Sequence, residues 1–159
     1  MNTTTSKRTD SAARVIHATP EVIYAAYLDA KAIAAWRPPK GMHCEIYEFD
    51  PRPGGTFRMS FGYDESEQDV VGKTSAHADV FHGHFAELIP HQRIVEVVEF
   101  ESDDPAFAGE MKVITTLVRE RHGTNVNVVC ENVPVGIKAD DHRQGIQSSL
   151  ASLAQYVER

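Results

Sequence analysis

Few residues in this 159-residue chain are of a type and spacing suited to chemistry. Glu87 follows Phe81, Gly83 and Phe85 at a period of two, so strict strand alternation turns its carboxyl to the face of the two rings. A carboxylate on a buried face must be paired or have a raised pKa, which is the condition of a general acid or base. Its plainer role is an ion pair with Arg93 across the turn at Pro90-His91. His142 is the second candidate, because it lies one turn before Ile146 on an apolar helix stripe. Histidine is the usual general base, although on such a stripe it also serves as a hydrogen-bonded packing residue. Ser149, one turn beyond Ile146, offers a hydroxyl that could orient a ligand. His82 and His84 share one strand face, a spacing that metal sites use. Phe81 and Phe85 claim the core face, however, which sends both histidines outward. No Cys, Asp or Glu cluster accompanies them, so no metal is expected. Cys44 and Cys130 form no Cys-x-x-Cys pair and read as reduced thiols. The facing of Glu96, within a run of valines, stays open. No nucleophile elbow, phosphate loop, zinc pattern or dinucleotide fingerprint occurs, and no cofactor is expected.

The elements that must position these residues follow from periodicity and punctuation. A short strand is predicted over Ala12 to His17. Thr19 as cap and Pro20 at the first helical position open a short helix carrying Val22, Ile23, Ala26 and Tyr27. Asp29 caps a second helix, Ala30 to Trp36, which Pro38-Pro39 ends. The pattern then turns to strands: Cys44 to Phe49, Thr56 to Tyr63, Ala78 to Leu88, Arg93 to Glu101, Met111 to Arg121 and Thr124 to Glu131. Residues 64–77 are polar and read as a long loop with a partial strand. Short links between successive strands predict an antiparallel meander. A long helix, Lys138 to Glu158, closes the chain with Ile146, Leu150, Leu153 and Val157 on one stripe. Gly145 is expected to let it lie close to a strand.

Composition narrows the partners. Acidic residues outnumber basic ones by 23 to 16, and the net charge is −7. Nucleic acids and anionic membrane surfaces both call for clustered Lys and Arg, so neither is expected as a partner. No apolar run approaches the length of a membrane helix, and the polar N-terminus lacks the apolar centre of a secretory signal. The chain is therefore expected in the cytoplasm. It divides into a flexible tail, 1–9, and one domain, 10–159. The expected fold is α+β: a curved antiparallel sheet of six or seven strands wrapped on the long C-terminal helix. One helix cannot fill the concave face of so wide a sheet, so a cavity between them follows from geometry.

Four ordered motifs carry a family resemblance. They are Ala18-Thr19-Pro20 with Trp36 and Pro39-x-Gly41; Asp50, Arg52, Gly54 and Gly55; Gly83, Glu87, Pro90, Arg93 and Ile94; and the helix from His142 to Glu158. Together they resemble the START-like or SRPBCC superfamily, the helix-grip fold, over residues 10–158. The branch is similar to the C-terminal domain of the heat-shock-protein ATPase activator. Two positions depart from that pattern: Ile146 stands where relatives usually carry Trp, and Cys130 where many have His. The resemblance implies a small hydrophobic or aromatic ligand held between sheet and helix. The expected contacts are Trp36, Phe57, Met59, Phe61, Phe81 and Phe85, with Cys130, His142, Ile146 and Ser149. It equally leaves open a cyclase, dehydratase or hydrolase using Glu87 and His142, and a chaperone-associated interaction module. A homodimer, through sheet edges or the His82/His84 face, is also left open.

Overall fold

The computed structural model describes residues 8–63 and 78–158. Residues 1–7 of the expected tail (1–9) and the loop at 64–77 lie outside the described residues. Arg8, assigned to the tail, is instead anchored: its guanidinium lies 3.0 Å from Asp10 and donates to the Ile137 carbonyl.

Strand β1 (Asp10–Ile16) leads into helices α1 (Pro20–Tyr27) and α2 (Ala30–Trp36). The caps are those the sequence predicts: Thr19 accepts from the Val22 amide and Asp29 from the Lys31 amide. Six strands follow, β2 (Met42–Phe49), β3 (Thr56–Tyr63), β4 (Ala78–Ile89), β5 (Arg93–Phe100), β6 (Met111–Glu120) and β7 (Gly123–Glu131). A single 3-10 turn, Pro105–Phe107, interrupts the β5–β6 link. Helix α3 (Ala139–Val157) ends the fold.

The seven strands form one antiparallel sheet in the order β1-β7-β6-β5-β4-β3-β2. From β2 to β7 this is the predicted meander. β1 departs from it, because it pairs with β7, with Asp10 opposite Cys130 and Ile16 opposite Thr124. Helices α1 and α2 therefore carry the chain from one sheet edge to the other. The result is the α+β helix-grip fold: a curved sheet holding α3 on its concave side.

Alternation sets the core. On β7, Thr124, Val126, Val128 and Cys130 are buried; on β6, Met111, Val113, Thr115 and Leu117. Leu150, Leu153 and Ala154 bury the C-terminal half of α3 against the sheet. Each fully buried large apolar side chain contributes roughly 1.5–3 kcal/mol relative to exposure.

Two bulges break the alternation. The register shifts between Ile46 and Glu48 on β2, and between Phe85 and Glu87 on β4. An extra residue in a strand reverses the facing of everything beyond it. Ala86 is that residue on β4, so Leu88 turns inward and Glu87 outward. Glu87 thus lies on the outer face, half-exposed, with Arg93 at 2.6 Å. The inward carboxyl expected from strict alternation is corrected to this surface pair.

Gly145 is also not a close-approach glycine. A Cβ added there would meet only Pro39 Cγ, at 3.9 Å. Gly83 is a crowded one: a Cβ there would fall 1.9 Å from the Val97 carbonyl oxygen and 2.9 Å from Phe57.

Candidate functional site

A cavity of about 550 Å3 lies between the concave sheet and the N-terminal half of α3. Its position follows from α3 itself. Towards its C-terminal end α3 packs Leu153 and Ala154 inward, whereas the turns before them meet the cavity with Asp141, His142, Gly145, Ile146, Ser149 and Leu150. Gly145 brings no side chain, so the helix cannot fill the space beneath it.

The sheet supplies an apolar wall. Phe61 from β3, Phe81 from β4 and Phe100 from β5 follow one another edge to face, with centroids 5.0 and 6.1 Å apart. Val98, Met111, Val113 and Val128 continue it, and Phe107 of the 3-10 turn covers the side. Such T-shaped pairs match the positive edge of one ring to the negative face of the next.

Helices α1 and α2 supply a polar belt. Trp36 is buried, donates its indole N–H to the Ala26 carbonyl at 3.0 Å and packs edge-on against Tyr27. The next residue, Arg37, caps α2 with its backbone still helical, and the helix stops there because Pro38 has no N–H to continue the ladder. Its guanidinium reaches across to Glu96 on β5, with Nη2–Oε1 at 2.9 Å and Nη1–Oε2 at 3.2 Å. It also sits within 5.6 Å of the Tyr27 ring and 5.8 Å of the Trp36 ring. Ser149 fixes the Arg37 backbone, donating to its carbonyl at 2.6 Å. Burial would lower the Arg37 pKa, but the Glu96 carboxylate more than reverses this and holds the guanidinium charged. Burial pushes the Tyr27 hydroxyl up to about 12, against the Arg37 charge and a hydrogen bond with Thr115. Burial likewise raises the Cys130 thiol to about 12, in spite of Arg37. Cys130 is therefore a neutral wall residue.

A second polar group closes the α3 end. His142 Nδ1 lies 2.8 Å from Asp10 Oδ2, and Arg8 holds the same carboxylate. Burial would raise the Asp10 pKa, yet the hydrogen bonds from Arg8 and His142 keep it below its ordinary value. His142 lines the cavity with Asp10 behind it, the order in which a carboxylate orients an imidazole.

Of the expected contacts, Trp36, Phe61, Phe81, Cys130, His142, Ile146 and Ser149 line this cavity. Phe57, Met59 and Phe85 do not. They are buried, and Phe85 stacks edge-on with Phe49 and Phe57, the latter lying over Gly83. His82 is on the outer face, 3.0 Å from Glu101 and 3.3 Å from Glu99. Among the described residues no group of three or more His, Cys, Asp or Glu could hold a metal ion. Likewise no helix among them is long and apolar enough to cross a membrane.

Arg37, Tyr27 and Thr115 are not among the residues the sequence singles out for the site, and Glu96, whose facing it leaves open, turns inward. One signal was available: Glu96 shares its strand parity with Ile94, Val98 and Phe100, and a carboxylate on such an apolar face needs a buried partner. Nothing local identified Arg37 as that partner, 59 positions away in the chain.

Comparison with known proteins agrees with this geometry. The model of the family described as Activator of Hsp90 ATPase homolog 1-like protein matches residues 17–158. The chain belongs to that family. A crystal structure of a protein from Chromobacterium violaceum is 33% identical, covers 96% of this chain and 99% of its own, and superposes with a TM-score of 0.83. A solution structure of the Activator of Hsp90 ATPase homolog 1-like protein from Aeromonas hydrophila is 20% identical, with coverages of 95% and 92% and a TM-score of 0.72. A crystal structure of a Rhodobacter sphaeroides protein is 19% identical, covering 94% and 91% with a TM-score of 0.74. These last two share the fold. None of the curated proteins matches the chain. Within the Activator of Hsp90 ATPase homolog 1-like family, then, this member carries Ile146 and Cys130 on its cavity wall.

Proposed function

We propose that this protein binds a small, largely apolar molecule, aromatic or aliphatic, in the cavity between the sheet and α3. The carrying observation is the cavity: about 550 Å3 of space, walled by aromatic and aliphatic side chains, with a few convergent polar groups. Protein interiors are otherwise close-packed, and a space of this size and lining is what small-molecule sites have. The test is native mass spectrometry of the purified protein, followed by thermal melts with an apolar library. A ligand at about 100 times its Kd adds about 2.7 kcal/mol, which moves the melting temperature of a domain this size by roughly 5–10 °C. No co-purifying molecule together with no shift across the library removes the reading.

The contact between His142 and Asp10 favours a second reading, proton transfer on the bound molecule. With Glu87 on the outer face, His142 alone would carry it. Equal turnover of an aryl-ester panel by the wild type and His142→Ala excludes that role.

A further inference from the structure

Arg37 is more than one half of an ion pair. A guanidinium has five N–H donors. Glu96 takes one from each terminal nitrogen. Among the described residues no acceptor meets the other three, Nε–H and one on each terminal nitrogen. They are not sealed against protein either, because the Arg37 side chain keeps 19% of its surface accessible and lines the cavity. Glu96 does not line it; its carboxylate stands behind the guanidinium. The Ser149 hydroxyl is spent on the Arg37 carbonyl. The belt therefore presents donors to the cavity from Arg37, between the aromatic wall and the Tyr27 and Trp36 rings.

Charge decides which acceptor suits those donors. Arg37 and Glu96 are paired at 2.9 Å, so the pair carries no net charge. Asp79 and Asp141 also line the cavity, against Lys138 as the other cation, and Asp10 stands behind His142. An anionic ligand would enter a poorly screened space already supplied with carboxylates, and it would compete with Glu96 for its own counter-ion. A neutral oxygen acceptor meets no such opposition.

We infer that the cavity selects apolar molecules bearing a neutral carbonyl oxygen, a ketone, ester or amide, with that oxygen accepting from Arg37. This rests on the binding reading above and sharpens it. The selectivity belongs to Arg37 and Glu96; the affinity of the apolar body belongs to the aromatic wall.

The test uses three matched probes on the full chain: a naphthyl methyl ketone, the corresponding ethylnaphthalene and the corresponding naphthoate. Affinities are measured by calorimetry for the wild type and for the double variant Arg37→Met, Glu96→Met. Removing both partners avoids leaving Glu96 buried and unpaired. The ketone should lose about tenfold or more relative to the hydrocarbon in the variant, the size of a hydrogen bond to a charged donor. In the wild type the naphthoate should bind more weakly than the ketone. A second measurement needs no variant: the infrared carbonyl stretch of the bound ketone should fall below its position in an aprotic solvent. An unchanged ketone-to-hydrocarbon ratio, a stretch at the aprotic position, or a naphthoate that binds tighter than the ketone each overturns the inference while leaving apolar binding intact. Failure of all three probes to bind the wild type overturns the binding reading, and the inference with it.

Discussion

Arg37 and Glu96 are the pair on which the polar side of the cavity depends. Taken alone, such a pair is weak support for stability, because desolvation offsets much of its attraction. Breaking it is another matter, since the survivor is a buried, uncompensated charge. Arg37→Met should lower the unfolding free energy by about 3–5 kcal/mol in urea titrations, and adding Glu96→Met should restore much of that loss. The thiols allow a chemical check at the same scale. Burial holds Cys130 at about 12 and Cys44 at about 11, so little thiolate forms at pH 8. Iodoacetamide should label both far more slowly in the native protein than in urea. On the outer face, Glu101 is held at about 2, first by its hydrogen bond from Arg58, with burial opposing and His82 adding. The folded value is below the ordinary 4.5, so its contribution is complete above about pH 4.5 and is lost as pH falls towards about 2. Glu101→Gln should flatten the acid limb of stability across that window, modestly, because solvent screens the pair.

Helix α3 and strand β4 each turn on one glycine, and the two glycines differ. Gly145 sits inside a helix where an added Cβ would make only an ordinary contact, with Pro39 Cγ at 3.9 Å. Gly145→Ala should therefore stabilise the protein by about 1 kcal/mol, the helix-propensity difference, read as a higher denaturation midpoint. Gly83 sits where β4 passes Phe57 and the Val97 carbonyl. Gly83→Ala forces a backbone shift and should destabilise by about 1–3 kcal/mol in the same assay. The β4 bulge explains why Glu87 could not be placed from its neighbours. Strict alternation holds only while the register does, and one extra residue, Ala86, reverses it.

At the scale of the whole molecule, the cavity exists because one helix and two short ones cover a seven-stranded curved sheet incompletely. Ile146 lines the cavity in the middle of α3, between His142 and Leu150 on the same wall. Ile146→Trp should occupy part of the space and abolish the melting shift produced by apolar ligands, while far-ultraviolet circular dichroism stays that of the wild type. Retention of the full ligand shift would show that binding takes place elsewhere. The closure of β1 onto β7 matters equally here. It brings Asp10 opposite Cys130 and within 2.8 Å of His142, joining the first strand to the start of α3 at the cavity wall.

The sequence by itself determined the local elements and their order. The Thr19 and Asp29 caps, the Pro38-Pro39 stop, the alternating strands and the stripe on α3 are short-range patterns, and each reports a backbone preference within a few residues. The aromatic run on β3 and β4 was legible in the same way as an apolar face, although alternation could not separate Phe61 and Phe81 on the cavity wall from Phe57 and Phe85 in the filled core. Only the tertiary structure decided that division, since it depends on where α3 presents leucines and where it presents Gly145. It alone decided the partner of Glu96, the outward turn of Glu87 and the contact of His142 with Asp10. Each of these joins residues that are distant in the chain or out of step with it, and a local pattern carries no information about which side chain arrives from across the fold.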